Sequence, residues 1–223
     1  MSAKTIGVIQ VKGGAGRSTV STNLAGELSK QGKTVLIDCD MPQGTAASWF
    51  AVRQQSDDKP LQLFKENLTA DTARTHRELV AKVEQYKDVD YIVLDGPPRI
   101  AELTRAILVL SDLCLVPVGA SAAEIWATSD LLALIAEANQ VTTVKAKMIW
   151  TRYRPHTKLA KDLSELATKE LGLSALSTSL GMRVAYPQAL GEGLTVAELP
   201  DASAKAEARA LAAEVQQLLK AKK

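Results

Sequence analysis

Apolar residues in this chain come in short, nearly continuous runs separated by longer amphipathic stretches. The runs fall at residues 5–11, 34–38, 91–95, 113–118 and 144–151, and they lack the alternation of a half-exposed strand. Continuous apolar strands are those covered on both faces, as in a parallel sheet whose strands are joined by helices. Residues 18–30, 72–86, 100–110, 122–139, 158–170 and 202–220 show instead the spacing of helices with one buried face. Strand and helix alternate throughout. That order predicts an α/β fold with a doubly wound, mainly parallel sheet flanked by helices. The length of 223 residues suits one such domain and is short for two. No repeat or low-complexity linker divides the chain, so residues 1–223 are expected to form a single domain, with the polar segment 54–60 as a surface loop.

The first apolar run leads directly into Lys12-Gly13-Gly14-Ala15-Gly16-Arg17-Ser18-Thr19, and a helical pattern follows. Glycines let the backbone curl until successive N–H groups point inward, and the helix N-terminus adds a dipole favourable to phosphate. Ser18 is placed to offer its hydroxyl to a magnesium ion on those phosphates. The plain alternative is a glycine turn that only caps a helix, but acids stand at the ends of later strands. The second run ends in Asp38-Cys39-Asp40 and the third in Asp95-Gly96-Pro97-Pro98. In a doubly wound sheet the ligand crevice lies outside the carboxyl ends of the strands, so these carboxylates face the loop. One can organise a metal, and another can orient the attacking water in phosphoryl transfer. Taken singly, Asp38 or Asp40 could be a helix N-cap, but together the acids exceed that plainer reading.

On these residues the chain resembles the ParA/MinD family of deviant-Walker P-loop ATPases, whose loop reads KGGxGK[ST] and whose next acidic motif reads DxDPQ. The resemblance extends through Val184-Ala185-Tyr186-Pro187. It implies ATP and Mg2+ as ligands. It makes Lys12 the signature lysine that reaches across a sandwich homodimer to the partner's phosphates, with Asp38 and Asp40 as the catalytic acids. Gly13, Gly14, Ala15, Gly16, Arg17, Ser18 and Thr19 would bind the nucleotide together with Thr151, Arg152 and Pro187. Ser18, Asp38 and Asp95 would serve the metal. Arg17 stands where the family usually has a second lysine, and Met41 is an extra residue between Asp40 and Pro42. A planar guanidinium does not substitute freely for a compact ammonium. Slow hydrolysis is therefore expected.

The likeness is to the compact ParA type, including carboxysome-positioning ATPases of the McdA kind, which act with a ParB-like or McdB-like adaptor and bind nucleoid DNA non-specifically as ATP dimers. A net charge of +2 does not by itself mark a nucleic-acid binder. Between Val144 and Arg183, however, eight basic residues face three acidic ones. Arg152, Arg154, Lys158, Lys161 and Arg183 are the candidates for holding double-stranded DNA by its phosphates; a solvated helix face is the alternative.

No charged leader or long apolar window is present, and the last helical stretch lacks Trp and Phe. The chain is thus expected to be cytoplasmic and free of membrane contact, and the resemblance implies that it is nucleoid-associated. Trp126 and Trp150 read as core or interface residues, and the separated Cys39 and Cys114 as reduced core thiols. Two other readings share this fold: a metabolic P-loop enzyme such as the ligase that closes the dethiobiotin ring, and an ATP-binding scaffold with little hydrolysis.

Overall fold

The computed structural model describes residues 2–55, 66–98, 101–155 and 157–221. Six strands, β1 (Lys4–Val8), β2 (Thr34–Asp38), β3 (Leu68–Thr72), β4 (Tyr91–Asp95), β5 (Leu113–Gly119) and β6 (Ala146–Thr151), pair in parallel throughout in the order β3-β2-β4-β1-β5-β6. The expected doubly wound parallel sheet is what forms. Its central strands are buried along their length, which is why their apolar runs do not alternate.

Helices cover both faces. On one lie α1 (Arg17–Leu28), α2 (Thr45–Gln55), α8 (Ala185–Gly191) and α9 (Ala202–Lys220), packed on Ile6, Val8, Leu36, Val93 and Leu115. On the other, α3 (His76–Gln85), α4 (Ala101–Leu110), α5 (Ala122–Trp126), α6 (Ser129–Ala138) and α7 (Lys158–Leu171) pack on Ile37, Ile92, Leu94, Cys114 and Val116. Consecutive residues of one strand thus feed two separate cores.

Several boundaries differ from the sequence expectation. The helix expected over 72–86 begins at His76, because Leu68–Thr72 forms the edge strand β3, where only Leu68 is fully buried and the continuous apolar signal is lost. Thr75 caps α3 by accepting from the Glu78 amide at 3.2 Å. The helix expected over 122–139 breaks in two at Thr128. The buried Thr128 hydroxyl donates to the Glu124 carbonyl at 2.8 Å and accepts from Gln10 Nε2 at 2.9 Å, a local arrangement that competes with helix continuity. Helices α2 and α8 had no counterpart in the periodic pattern. Position 100, the expected start of α4, and 56–60 of the expected loop lie outside the described residues.

Trp150 is buried and stacks on Tyr153 with ring centroids 5.4 Å apart, whereas Trp126 is 60% exposed and is not a core residue. Cys39 and Cys114 are free and buried; burial pushes the Cys114 thiol up to about 12 and Cys39 well above its ordinary value, so neither is poised as a thiolate.

Candidate active site

The loop between β1 and α1 ends at Gly16, whose φ of 95° lies in the left-handed region, as does Gly14 at 75°. A Cβ on Gly16 would also press on Thr151 Cγ2 at 3.3 Å. Thr151, at the end of β6, donates to the Ala15 carbonyl at 2.9 Å and so pins the loop from outside. Because Gly16 is the N-cap of α1, no side chain occupies the first N–H groups of that helix. These donors face a cleft of about 380 Å³ lined by the loop, Ser18, Thr19, Asp40, Gln43 and Pro98. An uncapped helix N-terminus behind a glycine loop is a ready anion site.

Asp38 and Asp95 sit in register on adjacent strands, each 1% exposed. Asp95 accepts from Ser18 Oγ at 2.7 Å and from Ser21 Oγ at 2.9 Å. Burial, and then the Asp38 charge beside it, push the Asp95 carboxyl up to about 7. A buried acid whose ionised form a cation would favour, linked to a hydroxyl at the cleft edge, is a donor set suited to Mg2+. Asp38 is already engaged: Oδ1 accepts from the Asp40 amide and Oδ2 from the Ala47 amide, both at 2.9 Å. It therefore also anchors the first turn of α2 from the end of β2, although at seven residues before Thr45 it is not that helix's N-cap residue. Asp40 lines the cleft, and burial raises its carboxyl despite the Arg17 guanidinium beside it.

Arg17 is 7% exposed, and its Nη1 donates to the Gln10 carbonyl at 2.8 Å and the Lys12 carbonyl at 2.7 Å, with Nη2 3.4 Å from Asp40. The guanidinium thus ties the loop backbone to its own strand. Lys12 does not lie over the loop of its own chain either: its Nζ pairs with Glu124 Oε1 at 3.0 Å. A second cleft of about 300 Å³ adjoins the first across Gly14, Gly16 and Thr19. Its walls include Thr151, Arg152, Tyr186 and Pro187, which brings together the three residues outside the loop expected to hold nucleotide.

Residues 4–154 match the family model described as ATPase MipZ. The chain belongs to the MipZ family of ParA-type ATPases. A relative over nearly the whole chain is the maintenance of carboxysome distribution protein A of Halothiobacillus neapolitanus, 27% identical, with 97% of this chain and 95% of the relative covered. The chromosome-partitioning ATPase Soj of Thermus thermophilus is 29% identical, with 95% of each covered. Among solved structures, an ATP complex of Cyanothece McdA superposes with a TM-score of 0.77 over 100% of this chain and 98% of that one at 17% identity, which is a likeness of fold.

In this MipZ family member three of the five basic candidates are paired with carboxylates. Arg183 is bound by Glu207 of α9 through Nε at 3.0 Å and Nη2 at 2.7 Å, Arg152 lies 3.3 Å from Glu124, and Lys161 lies 3.9 Å from Glu165. Lys158 and Arg154 are exposed. Sequence reasoning missed Ser21, Glu124 and Glu207. Ser21 lies one helical turn from Ser18 on α1, a spacing that could have flagged it. Glu124 looked like an ordinary first-turn acid after Ser121, and Glu207, which accepts from the Gly181 amide, Arg183 and the Tyr186 hydroxyl, carries no motif at all. No helix among the described residues is long and apolar enough to cross a membrane.

Proposed function

We propose that this chain is a partition or positioning ATPase. It would form an ATP sandwich homodimer, bind nucleoid DNA without reading its sequence, and distribute a cargo with a ParB-like or McdB-like adaptor. The cargo class is plasmid or chromosome DNA, or a protein microcompartment such as the carboxysome. The observation that carries the ATP reading is the uncapped N-terminus of α1 behind the Gly13–Gly16 turn, with Ser18 and Asp95 linked beneath it. The relatives in carboxysome distribution and chromosome partitioning support the positioning role.

On this reading the loop N–H groups and Ser18 bind the phosphates, and the Thr151 contact holds the loop in shape. Mg2+ held by Ser18, with Asp95 and Asp38 behind it, would neutralise charge developing on the transferred phosphate. Asp38 orients the attacking water, and Lys12 moves to the partner's phosphates. The second cleft takes the base between Arg152 and Pro187. Arg154 and Lys158, the two basic candidates without a carboxylate partner above, provide the DNA contact best.

One observation favours the scaffold reading, in which ATP is bound but scarcely hydrolysed: both Asp38 oxygens already accept backbone N–H groups, and Arg17 is spent on loop carbonyls. ATP turnover measured with and without double-stranded DNA separates the two. Stimulated turnover supports the positioning ATPase, tight ATP binding with no turnover under either condition supports the scaffold, and failure to bind ATP removes both.

A further inference from the structure

Glu124 serves two cations with one oxygen. Its Oε1 lies 3.0 Å from Lys12 Nζ and 3.3 Å from Arg152 Nη2, while Oε2 is buried with no hydrogen-bond partner among the described residues. The glutamate side chain is 12% exposed, against 36% for Lys12 and 50% for Arg152. The carboxylate is therefore the fixed inner member, and the cations reach it from the glycine loop and from the end of β6. Gly119 makes room for the meeting, since a Cβ there would lie 2.6 Å from Arg152 Nη2 and 3.1 Å from Glu124 Cδ. Arg152 itself adopts a φ of 52°, in the region non-glycine residues seldom occupy.

Withdrawing one partner from a largely buried ion pair ordinarily leaves an uncompensated charge, at considerable cost. Here the second cation remains. Lys12 can leave, and Arg152 still neutralises the carboxylate. Phosphate oxygens are strong acceptors for an ammonium and compete well with one half-satisfied carboxylate.

We propose that Glu124 is a positioning residue that keeps Lys12 on its own chain until a partner's nucleotide phosphates draw it away, with Arg152 taking over the carboxylate. This rests on the reading of Lys12 as the lysine that crosses the dimer. Releasing Lys12 subtracts from the free energy of dimerisation, so Glu124 sets the nucleotide concentration at which dimers form.

The test is light scattering of the full chain across a titration of AMPPNP with Mg2+. The variants are Glu124→Gln and Glu124→Ala, each alone and combined with Lys12→Ala, with melting curves to show that they fold. Both Glu124 variants should dimerise at about two- to fivefold lower nucleotide, the worth of a partly exposed ion pair. Combined with Lys12→Ala, neither Glu124 change should restore a nucleotide-dependent dimer, because the lysine that Glu124 holds is gone. A merely structural glutamate would move the midpoint upward. An unchanged or higher midpoint in the Glu124 variants overturns the proposal. A Lys12→Ala chain that dimerises like the wild type overturns instead the reading of Lys12 beneath it.

Discussion

Ser18 donates its hydroxyl to Asp95 at 2.7 Å, and so joins the first turn of α1 to the end of β4 across the floor of the cleft. The acid it meets is fully buried beside Asp38, with its pKa raised to about 7 from an ordinary 3.8. A raised carboxyl means that the folded chain binds the proton more tightly than the unfolded one. The contribution is present in full below the unfolded value and is lost as pH rises through the folded one. Without metal or nucleotide, the chain should therefore lose stability between about pH 4 and 7, and Asp95→Asn should remove that loss. Urea unfolding in a chelator across this range checks it; parallel curves for the two proteins would show that Asp95 ionises without cost.

Lys12→Ala should abolish ATP-dependent dimerisation while leaving a folded monomer. Its ammonium is partly exposed and its pair with Glu124 contributes on the order of 1 kcal/mol or less to the monomer. Sedimentation with and without ATP distinguishes the outcomes, and an intact ATP dimer would remove Lys12 from the interface.

Asp38→Ala should bind ATP, turn it over far more slowly and accumulate as dimer, because loss of a water-orienting carboxylate harms the transition state more than the ground state. The same change strands the Asp40 and Ala47 amides, at a cost of about 1–3 kcal/mol. Chemical denaturation should show that loss alongside the kinetic defect. Wild-type turnover would move the water-orienting role to Asp40.

Arg17→Lys should lower the stability of the nucleotide-free chain by roughly 1–3 kcal/mol, since one ammonium cannot reproduce the fork that reaches the Gln10 and Lys12 carbonyls and Asp40 together. A melting temperature equal to the wild type would show that these contacts add nothing.

Neutralising Arg154 and Lys158 together should weaken binding of the ATP form to unrelated double-stranded DNA sequences about equally. The slope of log affinity against log salt should flatten by about two. Gel shifts over a salt series, with ATP, with ADP and without nucleotide, read this directly. Unchanged slopes, or equal binding without nucleotide, would leave these residues as a solvated face. Arg183 makes a poorer probe, because removing it also strips Glu207 of its cation.

The sequence alone determined the parallel sheet and the place of the glycine loop between β1 and α1. Both are encoded locally, the first by apolar runs buried on two faces and the second by glycines followed immediately by a helix. It also placed Asp38 and Asp95 at strand ends, since strand polarity carries every carboxyl end to one edge of a parallel sheet. What it left open depended on side chains far apart in the chain. The edge strand β3 lacks a second buried face and hence the apolar run. Thr128 ends a helix by bonding Gln10, and Arg17 resembles a phosphate ligand by position yet is held by two carbonyls of its own loop. Glu124 is 112 residues from Lys12, the difference of their numbers, and only the packing of α5 beside the loop makes them neighbours. An ion pair at that separation has no periodicity to betray it, because its geometry is set by the tertiary fold and not by the local chain.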